Sequence, residues 1–101
     1  MVEEEKVACR TPEGSSAGTR IPAWKYHAVR AAILDAIRAA GPEGMRNKDL
    51  NAAVEARLTV DELARLGKLG WHVVTVKLEM EVRGEIARIK GRSPLTFVLT
   101  G

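Results

Sequence analysis

Aromatic side chains are scarce in this 101-residue chain, at 4%, so any core it builds must be mostly aliphatic. There is one cysteine, Cys9, which excludes an internal disulfide and fits a reducing cytoplasm. As a reactive thiol it would have to be exposed. No apolar run approaches the roughly 20 residues that a membrane span requires. The first six residues, MVEEEK, are acidic where a secretory leader is apolar, so they do not read as a signal peptide. Gly41-Pro42-Glu43-Gly44 lacks the Lys-Ser/Thr that completes a phosphate loop. Cys9, His27 and His72 match no metal-ligand spacing. There is also no nucleophile–base pair and no pair of carboxylates in a plausible cleft. The sequence therefore points away from an enzyme and indicates no cofactor, metal, membrane or small-molecule substrate.

What remains is ordinary globular material, 46% apolar and 29% charged, enough for one domain with one modest core. The net charge of +3 is unevenly spread. Residues 1–20 and 59–81 are each net −1, residues 21–58 net +2 and residues 82–101 net +3. The basic excess sits near the C-terminus and in the first helical region.

In chain order, residues 1–20 combine an acidic start (Glu3, Glu4, Glu5), a short apolar patch (Val7-Ala8-Cys9) and a turn-rich loop over 11–18. They read as an arm, either mobile or packed as an edge strand. Residues 21–101 read as the folded domain. A helix is expected from Pro22 to Ala40, since Tyr26, Val29, Ile33, Ile37 and Ala40 recur at spacings of three and four and Gly41-Pro42 stops it. Gly44-Met45-Arg46 is a connector or a minimal strand. Asn47 is a candidate N-cap for a second helix from Lys48 to about Arg57. Thr59-Val60-Asp61-Glu62 fits a capping box for a short third helix ending at Gly67.

The last third is the most informative. Trp71 to Arg83 reads as a helix despite the β-branched Val73, Val74, Thr75 and Val76, because good helix formers follow and Gly84 stands where a left-handed cap belongs. Glu85 to Lys90 reads as a strand, Gly91-Arg92-Ser93-Pro94 as a turn, and Leu95 to Leu99 as a return strand with Leu95, Phe97 and Leu99 on one face. At about 100° per residue the helix has two apolar stripes: Val73, Val76 and Met80 on one side, with Lys77 at its edge, and Trp71, Val74, Thr75, Leu78 and Val82 opposite. His72 and Glu79 lie between them. A helix apolar on both sides is normally covered on both sides.

The run VKLEMEVRGEIARIKGRSPLTFVLT resembles the recognition helix and wing of winged helix-turn-helix domains. With Thr19-Arg20-Ile21, Lys25-Tyr26, Ala32-Ile33-Leu34 and Gly70-Trp71, residues 21–101 are similar to a family of short bacterial winged-helix proteins of unknown function, over about four fifths of the chain. The resemblance implies an α+β fold: a helical bundle of three main helices and one short helix, with a C-terminal wing of two or three antiparallel strands. It also implies duplex DNA binding, with the helix in the major groove, His72 and Glu79 at groove-facing positions, and the wing on the backbone or minor groove.

Two functional readings follow. In the first, a small transcriptional regulator contacts DNA through His72 and Thr75 on the helix, with Arg88, Lys90 and Arg92 on the wing and Arg46 and Lys48 beside them, all on phosphates. The helix face offers no Arg, Asn or Gln for base readout, and basic residues on a hairpin are also an ordinary guard against edge pairing. In the second reading, Trp71, Val74, Leu78 and Val82 meet a protein partner or a second copy.

Overall fold

The computed structural model describes residues 5–11 and 19–100. The architecture is α+β, with four helices and two small antiparallel sheets. Strands β1 (Lys6–Cys9) and β2 (Thr19–Pro22) lead into α1 (Ala23–Ala40). A two-residue β3 (Met45–Arg46) precedes α2 (Asn47–Glu55), α3 (Val60–Leu66) and α4 (Leu69–Val82). Strands β4 (Ile86–Arg88) and β5 (Thr96–Leu99) close the chain.

Helix α1 is the hub, because its apolar residues recur often enough to bury a broad face. Tyr26, Val29, Ile33 and Ile37 are all inaccessible, and the small Ala32 and Ala36 between them let neighbours approach closely. Helices α2 and α4 and strand β5 all pack against α1. They contribute Leu50 and Val54, then Val73, Val76 and Met80, then Phe97 to one continuous core. Tyr26 and Phe97 are its only aromatic members, so the core is aliphatic as the composition requires.

The C-terminal sheet has the order β3-β5-β4. Phe97 lies opposite Met45 on one side and Arg88 on the other, which makes β5 the central strand. The pairing continues past the strand ends, with the Asn47 amide donating to Leu95 O at 2.8 Å and the Ile89 amide to Thr96 O at 2.9 Å. Helix α4 ends as its glycine predicts. Gly84 has φ +74°, its amide donates to Glu81 O at 3.1 Å, and the Glu85 amide reaches Met80 O at 2.9 Å. Together these make a Schellman stop.

Two local expectations are corrected. Helix α2 starts at Asn47, one residue earlier than expected, and Arg46 occupies the N-cap position without a side-chain cap. The Asn47 side chain is not a cap because its Oδ1 accepts from Lys77 Nζ at 3.0 Å. Lys77 is buried beside the Phe97 ring, and a buried ammonium needs an acceptor more than a helix start needs a cap. The apolar patch at Val7–Cys9 lies in a strand. It pairs with β2, Val7 opposite Ile21 and Cys9 opposite Thr19, and the Ala23 amide donating to Glu5 O at 2.7 Å ties the hairpin to the start of α1. The loop expected over 11–18 lies, from Pro12 on, outside the described residues. The capping box of α3 is present in both halves, Glu62 N to Thr59 Oγ1 at 3.0 Å and Thr59 N to Glu62 Oε1 at 2.9 Å. Among the described residues, no helix is long and apolar enough to cross a membrane.

The turn that delivers α1 into β3 depends on Gly44. Its φ is +84°, and a Cβ there would stand 2.5 Å from Phe97 O and 2.8 Å from a Thr96 methyl. Gly84 has a similar φ of +74° but open space around it. Gly44→Ala is expected to cost more than about 2 kcal/mol in urea unfolding, from backbone strain and overpacking together. Gly84→Ala, with strain alone, should cost about 1 kcal/mol.

Candidate functional site

Helix α4 carries His72, Thr75 and the four candidate interface residues, so its surroundings decide what these can do. One side faces α1 and α2 and buries Val73, Val76, Lys77 and Met80. Next around the helix, the β1–β2 hairpin covers a second sector. The centre of that contact is Glu79, 0% exposed, whose carboxylate takes four donors. Its Oε1 accepts from the Arg10 amide at 2.8 Å and from Arg10 Nε at 3.0 Å. Its Oε2 accepts from an Arg10 terminal nitrogen at 2.7 Å and from Arg83 Nε at 2.7 Å. The Arg83 guanidinium also lies 4.9 Å from the centre of the Tyr26 ring. Burial alone would raise the Glu79 pKa, but the hydrogen bonds from Arg10 and Arg83 outweigh it and hold the carboxyl at about 2.

Two residues expected on a groove-facing surface are therefore turned inward. Glu79 is locked in this clamp. His72 is 7% exposed, edge-on to the Trp71 ring, with Nδ1 2.7 Å from Lys68 O. A carbonyl only accepts, so Nδ1 carries the proton and donates back into the first turn. Thr75 is half-buried on the outer side of the helix. The reactive-thiol reading of Cys9 is likewise corrected. The sulfur is buried under the hairpin, and desolvation, helped by the Glu79 carboxylate and opposed by Arg83, pushes the thiol up to about 11.

The sector of α4 left outward is the second apolar stripe. Trp71 is 46% and Val74 47% exposed, and Leu78 and Val82 are half-buried beside them. Glu81 flanks this stripe and accepts from Arg88 Nε at 2.6 Å. The structure thus brings together the four residues assigned to an interface.

The basic residues assigned to nucleic acid are not gathered on one surface in the same way. Arg88 is drawn to Glu81 on α4 and lies near the Phe97 ring. Arg46 stands 3.9 Å from Asp49, and Arg92 donates to Glu43 O at 2.9 Å. Arg46 and Arg92 line one recess of about 430 Å³ together with Glu43, Gly44, Pro94 and Thr96. Lys48 and Lys90 are exposed on α2 and in the turn after β4. Among the described residues, no group of three or more His, Cys, Asp and Glu is arranged to hold a metal ion.

The profile of a family of unknown function, DUF6958, matches residues 6–97. The chain belongs to this family. The DUF6958 match takes in the N-terminal hairpin, the Glu79 clamp and the outward stripe of α4 within one stretch. No match was found among curated proteins or among solved structures.

Sequence reasoning missed the clamp. Glu79 and Arg83 stand four apart on one helix, a spacing that by itself suggests an ion pair. Nothing in the sequence points to Arg10, 69 residues away.

Because the Glu79 carboxyl is held at about 2, below its ordinary 4.5, its stabilisation is fully present above about pH 4.5 and is lost as pH falls toward 2. Glu79→Gln is expected to lower stability at neutral pH by about 2–3 kcal/mol, and the gap to the parent should close between about pH 5 and pH 2 in urea titrations. A gap independent of pH would show that packing, not the charge, holds the hairpin.

Proposed function

We propose that this chain is a non-catalytic winged helix module that works through protein contacts made by the outward face of α4. Support for the winged helix arrangement comes from the element order. A helix, a minimal strand, two helices and a long helix are followed by two strands, and the first strand joins the edge of the C-terminal sheet in the order β3-β5-β4. In that arrangement α4 is the recognition helix and β4–β5 the wing.

One observation carries the protein-contact reading. The face of α4 that would enter a DNA groove presents Trp71, Val74, Leu78 and Val82, with Trp71 and Val74 about half exposed. Such a face has almost nothing to donate to base edges, and it loses water-exposed apolar area when another protein covers it. A rigid aromatic beside aliphatic side chains is also the usual make-up of an interface anchor.

A second reading, duplex DNA binding, rests on a different observation: Arg46 and Arg92 share a recess, with Lys48 and Lys90 exposed on neighbouring elements. These groups would neutralise phosphates without reading sequence.

Two measurements separate the readings. A photo-crosslinking amino acid at position 78, in the cells that make this protein, is expected to yield a discrete protein adduct, while the same group at the exposed Val60 on α3 should not. Absence of any adduct specific to position 78 overturns the protein-contact reading. Labelled random duplex is expected to show no anisotropy change at low salt. If it does bind, with affinity falling steeply as salt rises and weakened by Lys90→Ala with Arg92→Ala, the DNA reading takes its place.

A further inference from the structure

The outward stripe of α4 is not surrounded by neutral surface. Lys68 is exposed at the N-terminal end of the helix, and Arg83 is half-exposed at its C-terminal end. Arg10 reaches the helix from the hairpin and Arg88 from β4, each with about half of its side chain in solvent. The carboxylates that pair with these guanidiniums are turned inward: the Glu79 side chain is 0% and the Glu81 side chain 9% exposed. Among the described residues, what reaches solvent around the stripe is therefore the cationic half of each pair, and these four basic groups stand against the carboxylates of Glu79 and Glu81.

Resting on the protein-contact reading above, we infer that the partner is an acidic amphipathic helix, with aliphatic residues on one stripe and Asp or Glu on both flanks. From Trp71 to Val82 the apolar face runs about 16 Å, the length of three helical turns. A helix lying along it would place residues i, i+3/i+4 and i+7 on Trp71, Val74, Leu78 and Val82, and its flanking carboxylates near the Lys68, Arg83 and Arg10 heads. The complementary charge speeds encounter and fixes register, while the apolar contact supplies affinity. A second copy of this chain fits less well, since a like rim would be brought against the same rim. Duplex DNA also fits less well. It satisfies the cations but leaves the aliphatic stripe against polar base edges.

The test uses designed helical peptides of about 18 residues with leucine at helical spacing, one flanked by glutamate and one by lysine. Binding is read from Trp71 fluorescence in a Trp24→Phe background. The glutamate peptide is expected to saturate, and to bind at least about tenfold more tightly than the lysine peptide at about 50 mM salt, with the preference shrinking toward 300 mM. Leu78→Glu and, as a second variant at a more exposed site, Val74→Glu should each weaken it at least tenfold while circular dichroism and melting temperature stay close to the parent.

Equal binding of the two peptides overturns the acidic partner and leaves the protein-contact reading intact. Failure of both peptides overturns the inference too, while the crosslink at position 78 still judges the broader reading independently. Displacement of the glutamate peptide by random duplex assigns the face to nucleic acid. A mass that rises with concentration for the protein alone, and falls with Leu78→Glu, assigns it to a second copy. Either result overturns the inference.

Discussion

One buried carboxylate decides which side of α4 is available. Glu79 sits at the seam between the N-terminal hairpin and the helix, and its two oxygens accept four hydrogen bonds from Arg10 and Arg83. An ionised group removed from water this completely is tolerable only because every donor it needs is supplied. The same bonds anchor β1 against α4, so the sector holding Glu79 is closed and the sector holding Trp71, Val74, Leu78 and Val82 is left open. The identity of the candidate surface thus follows from an electrostatic contact on a neighbouring face.

Other polar contacts bridge the elements packed around the helix and its C-terminal end. Lys77 inserts between α2 and the C-terminal sheet, gives a hydrogen bond to Asn47 and stands over Phe97. Arg30 on α1 grips Glu85 just after the glycine stop, at 2.6–3.1 Å, and so ties the start of the β4 segment back to the hub helix. In each case a long cationic side chain spans from one element to another and ends on an acceptor there. An aliphatic core supplies area but little direction, and these bridges supply orientation.

The legible parts of the sequence were those written in local spacing. The three-and-four recurrence from Tyr26 to Ile37 gave α1, Thr59 with Glu62 gave the start of α3, Gly84 gave the end of α4, and the alternation around Phe97 gave β5. Each signal depends only on neighbours along the chain. The directions of His72 and Glu79 were not legible, because a helical wheel orders side chains by angle without saying what lies against each angle. Both were placed correctly between two apolar stripes and then aimed outward, since nothing local announces a hairpin bringing Arg10 to that flank. Asn47 shows the same limit: its residue type suits a cap, yet a lysine 30 positions later claims its oxygen.

The burial of Cys9 has a consequence for how the lone cysteine should be understood. Its sulfur lies beneath the hairpin, close to the Glu79 carboxylate, and remains a neutral thiol far above physiological pH. The thiolate is the form that attacks peroxides and disulfides, so burial that keeps this sulfur protonated also keeps it slow to oxidise while the hairpin stays closed. The hairpin itself is the shield, and any molecule found sulfenylated at this position must have opened first.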